Sequence, residues 1–570
     1  MTGLFKNELI KTFKTGFVKA ALCVILAFSI LYPAGCYFLN SSVGEYEPTY
    51  FTDLAENEDS VEGKAYYNAL GETDKFFYEN KIASGDDWRY NEYYSSYQTL
   101  VMAKTVCSLA KSGSQKNITE NFFSYEEMNC EVNFDKDTLS AYYTEENYKD
   151  VFTLTPEELD KKIAELDGMI QELEAGVLNA KIEDFYKMRL DMSAEELAES
   201  KSSLKAAEAE LAKSPDNAKI KMTAEEARAA VKTAELNQWG MEYLNKNKPE
   251  YGSWQYNSVM DILTNAAAEF SYNVLMNEEL FSTSDERHMF KSYDEYKAKI
   301  EALAKDAEEA VELVKYSLNK NIPLPEAYVN SLRSSFLSDA GSAAFIVCLF
   351  MVAVASTIMF NEYSTGSVRL LLIRPKSRSK ILLSKLLTVI FYGVVTMLVS
   401  LAVLFVMELV FTDNNDMTVP YLLMKGGKVA EINPVVYTLM NVGARMFSAF
   451  VIIAFAFMLS AVFAKGGIFA LTVGAAALCV SSITQPICAE LNSRLRGVLT
   501  YTVLPYLNLS QYIGNTVKEY SYGGSTMLGE IFGGNDAQFD PAIGTVIVAA
   551  HIALFLAIAF GVFRKKQIKN

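Results

Sequence analysis

The sequence predicts an all-α integral membrane protein, with six transmembrane helices and a large, mainly helical extracellular domain between the first two. The prediction rests on an uneven distribution of charge. Residues 40–340 carry 58 acidic side chains against 31 basic ones, whereas the rest of the chain holds 11 acids and 21 bases. That remainder also contains six long apolar runs. The combination is typical of a membrane protein with a basic cytoplasmic face and an acidic outer domain.

Each apolar run has 18 to 24 residues without Asp, Glu, Lys or Arg, which is enough for a helix to cross a hydrocarbon core of about 30 Å. The first run continues apolar past its end and lacks a small-residue cleavage site, so we interpret it as a retained signal anchor. With their flanks, the runs place the spans at residues 20–39, 341–361, 386–411, 437–464, 466–489 and 541–563.

The charged flanks of these spans predict their orientation. Residues 1–19, 362–385 and 564–570 are rich in Lys and Arg and contain two acids, Glu8 and Glu362. Because such segments resist translocation, six spans place all three of them, and both termini, in the cytoplasm. A net charge of −17 argues against a nucleic-acid partner, since phosphate binding needs clustered cations.

The predicted extracellular domain, residues 40–340, has its strongest pattern from residue 155 onward. Thr155 followed by Pro and two Glu predicts a capped helix start, and similar patterns at Ser193 and Thr223 predict two more. We therefore expect an antiparallel bundle at about 155–320, held by intramolecular packing rather than by an intermolecular coiled coil. Apolar residues on one face of its first helix recur every three or four positions: Leu159, Ile163, Leu166, Ile170, Leu173 and Val177.

Other features of this domain give weaker signals. Residues 41–150 are Tyr-rich and predict mixed or short-helix structure, and residues 214–217 predict a turn. Cys107 and Cys130 are its two cysteines, and whether they form a disulfide or stay reduced is left open. No Cys/His cluster indicates a metal site, and no nucleophile motif indicates an enzyme.

The segment that leaves the second span is more organised than a basic loop requires. It has an acid at the membrane exit (Glu362), a turn at Gly366 and an apolar stretch. Arg374 and Pro375 follow, and then basic residues that continue into the third span. An apolar stretch between charged ends suits a short helix at the membrane interface or in the groove of a partner.

This segment resembles the first cytoplasmic loop of ABC-2-type transporter permeases, in which a Glu after the second span precedes Gly, an apolar run and an Arg-Pro-x-Ser-Arg-x-Lys-Ile-Leu-x-Ser-Lys sequence. Residues 5–11 are similar to the amphipathic N-terminal helix of that family, and residues 504–509 to a Pro-Asn-Leu stretch. The apolar edge of the N-terminal helix consists of Phe5, Leu9, Phe13 and Phe17.

The resemblance implies a permease subunit, not itself an enzyme, that exports an amphipathic peptide, antibiotic or lipid-like compound. It implies a permease homodimer or heterodimer with separate ABC ATPase subunits that bind ATP and Mg. This chain contains no Gly-x4-Gly-Lys-Ser/Thr loop, and we expect no cofactor in it. The alternative for the implied coupling residues is topogenic charge or binding of anionic membrane lipid. These residues are Glu8, Glu362, Gly366, Arg369, Arg374, Pro375, Arg378, Lys380 and Lys385.

Three ionisable residues fall inside predicted spans and are functional candidates on that ground. Glu408 and Arg445 lie near the outer ends of their spans, where snorkelling to the interface is the favoured interpretation. His551 lies deeper, and a packing role is favoured over a proton or substrate role. Residues 490–540 are expected to form an extracellular loop, with a re-entrant course as one alternative.

The large insertion leaves a second class of function open. One span, a long helical outer domain and five further spans also resemble phage-receptor and secretion-accessory proteins. The alternative to a permease is therefore a non-transporting receptor or secretion scaffold with a coiled-coil extracellular domain. Either function predicts a multi-pass protein of a bacterial plasma membrane with both termini in the cytoplasm.

Overall fold

The computed structural model divides the chain into two compact units, Met1–Val43 with Leu275–Asn570, and Gly44–Val274. We call them the membrane unit and the acidic unit. The predicted domain boundary of 340 therefore differs from the observed one, because residues 275–340 cluster with the membrane unit. The structure describes residues 2–41, 49–82, 87–112, 115–123, 148–288, 290, 292–324, 331–367, 377–412, 415–425, 427–463, 466–490, 497–513 and 539–565.

The described part of the acidic unit is built of helices. Its first half, predicted as mixed or short-helix structure, contains helices of up to 25 residues. The helices are α3 (Thr49–Asn57), α4 (Val61–Glu79), α5 (Trp88–Ser112), α6 (Gln115–Ile118), α7 (Pro156–Asn179), α8 (Ile182–Lys213), α9 (Ala218–Asn247) and α10 (Trp254–Tyr272).

Helix α7 begins where the sequence predicts. The Thr155 hydroxyl accepts a hydrogen bond from the backbone N–H of Glu158, and the Glu158 carboxylate accepts one from the Thr155 N–H, which is a complete capping box. The predicted apolar face of α7 packs on α5, and Leu159 and Val177 are fully covered in a shared core. The first predicted bundle helix therefore packs against the Tyr-rich region that precedes it.

Helices α8 and α9 form a hairpin whose turn lies at the predicted residues 214–217. The two other predicted helix starts are wrong, because Ser193 and Thr223 lie inside α8 and α9. Their hydroxyls donate to carbonyls of their own helices, Ser193 to Leu190 at 2.8 Å and Thr223 to Lys219 at 3.2 Å. The residue that caps α9 is Asn217, whose side chain accepts from two backbone N–H groups.

The described part of the membrane unit holds five helices that are long and apolar enough to cross a membrane, as is typical of a multi-pass membrane protein. Among these, α13 is central and packs on α14 and α15, whereas α2 and α18 lie at the periphery. The helices of this unit are α1 (Thr2–Lys14), α2 (Gly16–Ser41), α11 (Glu278–Thr283), α12 (Tyr293–Lys320), α13 (Leu332–Ser364), α14 (Arg378–Phe411), α15 (Pro434–Val462), α16 (Gly467–Val480), α17 (Thr484–Glu490) and α18 (Pro541–Lys565).

The fifth predicted span, 466–489, is not one continuous helix. Helix α16 has 14 residues, and a turn separates it from the short α17. Pro486 has no N–H, so the Ser482 carbonyl four residues earlier lacks its helical donor. The side-chain amide of Gln511 donates to that carbonyl instead, at 2.7 Å. The proline and its substitute donor explain why the helix breaks here.

A two-stranded antiparallel hairpin, β1 (Tyr421–Lys425) and β2 (Lys428–Ile432), joins α14 to α15. It departs from the predicted all-α fold. Gly427 has a φ of 72°, which a tight hairpin turn needs and glycine adopts without strain. The hairpin packs on α12, where the Tyr316 hydroxyl donates to Glu431 at 2.8 Å.

Candidate functional site

The N-terminal helix α1 turns a polar face into the membrane unit. Glu8 and Thr12 are buried, whereas Phe13 and Phe17 of the predicted apolar edge are each 50% exposed. Phe5 contacts the ring of Phe391 on α14, at 5.9 Å between centroids. The helix is thus amphipathic, but the side that packs on the protein carries a carboxylate.

A buried lysine joins that carboxylate to a second one. The Lys385 ammonium lies 2.8 Å from Glu8 Oε2 and 3.0 Å from Glu362 Oε1, and its side chain is 1% exposed. These residues come from α14, α1 and the last turn of α13. We call Glu8, Glu362, Lys385 and Lys11 the ion cluster.

Lys11 and Ser367 complete the coordination of Glu362. Lys11 forms an ion pair with Glu362, and its own side chain is 56% exposed. The Ser367 hydroxyl donates to the other carboxylate oxygen. Helix α13 ends just before it, and Gly366 has a φ of 70°, which only glycine adopts readily. The turn at Gly366 and the hydrogen bond from Ser367 therefore connect the start of the loop to the cluster.

The ion cluster balances two carboxylates with two ammonium groups, and Glu8, Glu362 and Lys385 are shielded from water whereas Lys11 reaches solvent. Taking single charges out of water is costly, and their attraction offsets that cost only when the geometry is close to ideal. Tyr392 adds a further link, because its hydroxyl donates to the Leu9 carbonyl of α1 at 2.9 Å. The arrangement fixes α1 against α13 and α14 in one defined position.

A cavity of about 70 Å³ lies beside the ion cluster. Its polar walls include Thr12 and Thr15 at the end of α1, and Thr357 and Asn361 on α13. Glu8, Lys11, Glu362 and Lys385 also line the cavity, so it borders all four members of the cluster.

The structure brings together three of the predicted coupling residues, Glu8, Glu362 and Lys385, and places Gly366 next to them. Arg378 begins α14 and donates to the Arg564 carbonyl at 3.2 Å, while Lys380 is exposed. Arg369, Arg374 and Pro375 lie outside the described residues. Lys11 and Ser367 are cluster members that the sequence pattern did not predict. The spacing of Glu8, Lys11 and Thr12, which puts them on one helix face, is the signal that points to Lys11.

The predicted intramembrane residues differ in their surroundings. Glu408 is 3% exposed and faces the carboxyl group of the equally buried Asp339 on α13. The snorkelling interpretation of Glu408 is therefore wrong. The Nδ1–H group of His551 donates to the Ile547 carbonyl of its own helix at 2.9 Å, and the ring packs edge-on against Phe555. That geometry agrees with the packing role.

Arg445 lies between α15 and α13. Its guanidinium is stacked 5.7 Å from the centroid of the Phe345 ring and 3.5 Å from the Ser482 hydroxyl in the broken helix. Arg445 is thus directed into the protein rather than out to the interface, contrary to the snorkelling interpretation.

Cys107 is buried, and Cys130 lies outside the described residues, so their pairing stays a prediction.

Outside the membrane unit, the packing of α5 on α7 is reinforced by ion pairs and tyrosines. Lys104 lies 2.8 Å from Asp167, and this hydrogen bond raises the pKa of the lysine. The Tyr97 hydroxyl donates to Glu174 at 2.8 Å, and burial raises the pKa of that tyrosine. These contacts stabilise the acidic unit and offer no nucleophile or metal site.

Comparisons with known proteins place one family match inside the membrane unit. A family model described as a protein of unknown function (DUF2705) matches residues 316–569. The chain is 29% identical over 272 residues to the uncharacterized protein YhcI of Bacillus subtilis (strain 168), covering 46% of this chain and 76% of the relative. No solved structure matches. The family match includes Glu362 and Lys385 and excludes Glu8 and the acidic unit.

Proposed function

We propose that this chain is the permease subunit of an ABC-2-type transporter, which exports an amphipathic compound with energy from a separate ATPase. The observation that carries the proposal is the ion cluster. It connects the N-terminal helix α1 with the two helices that flank the loop resembling the family's coupling loop. A force applied to that loop reaches α13 through Glu362 and α14 through Lys385.

In this mechanism the ATPase subunits bind ATP and Mg, because this sequence contains no phosphate-binding loop of its own. Their closure acts on the segment that begins at Ser367, and the Ser367 hydroxyl is bonded to Glu362. Glu362 passes the movement to Lys385, and Lys385 passes it to Glu8. Helices α1, α13 and α14 then move together, and the cavity beside them accommodates the shift.

The proposal also includes the orientation. The basic residues around the ion cluster face the cytoplasm under the positive-inside rule. The acidic unit then lies outside the cell. The substrate leaves from the cytoplasmic side or from the membrane to the outside, along the bundle around α13.

One observation favours the alternative of a receptor or secretion scaffold. Helix α8 has 32 residues, about 48 Å at 1.5 Å per residue, and forms a long hairpin with α9. Such a hairpin offers a large surface to an envelope partner or ligand. In that case the ion cluster serves only to stabilise the membrane unit.

ATP turnover tests the proposal. The full chain is co-purified with any ABC ATPase that is encoded beside its gene, and turnover is measured in lipid vesicles. Ser367→Ala removes the bond between loop and cluster, and we expect turnover to fall about tenfold, in line with the loss of a hydrogen bond to a charged group. The matched control is Ser364→Ala, since Ser364 is exposed and bonds only the Asn361 carbonyl of its own helix. Failure of any ATPase to co-purify, or equal turnover in both variants, would favour the scaffold.

A further inference from the structure

Arg445 is not part of the ion cluster, and its surroundings suit an anion. Its guanidinium has five N–H donors and no acceptor capacity. The ring of Phe345 covers one face, and the Ser482 hydroxyl is 3.5 Å from Nη2. No carboxylate of the described residues forms an ion pair with it.

The backbone that faces Arg445 is irregular, although Arg445 itself lies in the long apolar helix α15. Helix α16 ends at Val480, and the turn at 481–483 presents Ser482 toward the guanidinium. A second irregular segment, with 3-10 turns at Leu504–Tyr506 and Leu509–Tyr512, runs along α15. Its Leu509 N–H donates to Ser448, fifteen residues into α15. Irregular backbone within a membrane-spanning bundle is tolerated where protein buries it or where it lines a cavity.

The two irregular segments meet at Ser482. Gln511 donates to the Ser482 carbonyl at 2.7 Å, and its own side chain is exposed. Arg445 and Gln511 therefore both bring N–H donors to the same turn. Broken helices that gather polar donors are the usual setting of substrate sites in transport proteins.

We propose that Arg445, with Ser482 and Gln511, binds the anionic headgroup of an amphiphile, a phosphate or carboxylate attached to a lipid-like tail. The fork of the guanidinium matches two oxygens of such a headgroup. Exposed apolar side chains of α16, Ile468 and Phe469 among them, supply a surface for the tail. This inference rests on the proposed export function, because only an exporter makes the bound amphiphile a substrate. The binding step itself can be measured without any ATPase.

Native mass spectrometry of the full chain in neutral detergent tests it. The probes are lysophosphatidic acid, lysophosphatidylcholine with the same tail, and inorganic phosphate. We expect the wild-type chain to bind lysophosphatidic acid at least tenfold more tightly than lysophosphatidylcholine. Arg445→Gln should abolish this preference, and Arg445→Lys, which keeps the charge but not the fork, should reduce it severalfold.

Arg228→Gln is the matched control, because Arg228 is an exposed arginine of the acidic unit that pairs with Glu208 and Glu225. It should leave the preference unchanged. If Arg445→Gln does not fold, Arg445→Lys and Ser482→Ala carry the test. Equal headgroup preference in all variants would overturn the inference. Absence of headgroup preference in the wild-type chain, together with a large loss of thermal stability in Arg445→Gln, would also overturn it, because this result indicates that Arg445 has an internal acidic partner.

The phosphate probe separates two sources of the anion. Competition by inorganic phosphate at the concentration of the lipid would identify a free anion and overturn the amphiphile assignment. The export proposal fails separately, through ATP turnover. Absence of headgroup preference in the wild-type chain, with normal coupling of ATP turnover, would count against this site alone.

Discussion

The ammonium of Lys385 lies 2.8 Å from a carboxylate oxygen of Glu8, although 377 positions separate the two residues in the chain. Glu362 accepts from the same ammonium group at 3.0 Å. Replacing Lys385 by Met leaves two buried carboxylates without their shared cation. We expect the free energy of unfolding to fall by about 3–5 kcal/mol, as for other broken buried ion pairs. Thermal unfolding in detergent measures the loss.

Lys380→Met is the control for this prediction, because Lys380 is an exposed lysine of the same helix. Its effect should stay within about 0.5 kcal/mol, as for most surface substitutions. Glu8→Gln should cost less than Lys385→Met, since Lys385 keeps Glu362 as a partner. Similar melting temperatures for Lys385→Met and Lys380→Met would contradict the described burial of the cluster.

A second prediction concerns the contact between α18 and the segment at 504–506. A methyl group added at Gly544 would overlap the ring of Tyr506, which is fully buried. We expect Gly544→Ala to destabilise the protein by about 1–3 kcal/mol, the usual cost of overpacking. Gly561 lies in the same helix with nothing within 4 Å of its added methyl group, so Gly561→Ala should be neutral or slightly stabilising. Thermal unfolding of the two variants side by side decides the matter.

The break between α16 and α17 gives a third prediction. Gln511→Leu removes the only side-chain donor that the described residues offer to the Ser482 carbonyl, and losing this water-accessible hydrogen bond should cost about 1 kcal/mol. In a Pro486→Ala background the alanine introduced at 486 supplies a backbone N–H to the same carbonyl. The cost of Gln511→Leu should therefore shrink in that background. Equal costs in both backgrounds would show that the proline does not cause the break.

The acidic unit should lose stability at alkaline pH. Burial raises the pKa of Tyr186 to about 12, while its hydroxyl donates to the Pro249 carbonyl at 3.0 Å. In the unfolded chain tyrosine ionises near pH 10. Between pH 10 and 12 the folded state holds more protons than the unfolded state, so the free energy of unfolding falls as pH rises.

Tryptophan emission can follow this transition in the full chain, because its three tryptophans, Trp88, Trp239 and Trp254, all belong to the acidic unit. Denaturation by urea at pH 8 and pH 11 should give a lower midpoint at pH 11. Tyr186→Phe should lower the midpoint at pH 8 through the lost hydrogen bond, yet show a smaller difference between the two pH values. An unchanged difference would mean that other tyrosines dominate.

The sequence predicts those parts of the structure that depend on local pattern. The capping box at Thr155 was readable because a loop precedes it and Pro156 opens the helix. The similar sequence patterns at Ser193 and Thr223 wrongly predict helix starts, because helix-forming residues precede them and no residue before them ends the helix. The hairpin at 421–432 also has a local sequence signal, because two apolar runs flank a Gly-Gly pair, although the predicted all-α fold did not include it.

Other parts of the structure depend on contacts distant in sequence, and no local pattern contains them. Lys385 looks like any basic residue at a membrane exit until the fold places Glu8 beside it. Arg445 and Glu408 look like residues near the end of a span. Only the packing of the helices reveals that Arg445 faces Ser482 and that Glu408 faces Asp339.

The length of α16 has a consequence for the surrounding lipid. Its 14 residues give about 21 Å of helix, roughly 9 Å less than the apolar thickness of an average bilayer. Ile468 and Phe469 are exposed on this helix. If α16 lines the bilayer, we expect acyl chains beside these residues to shorten or tilt to meet the polar turn at 481–483, which would thin the bilayer on this side of the protein. Lipids with short tails should therefore gather along this face.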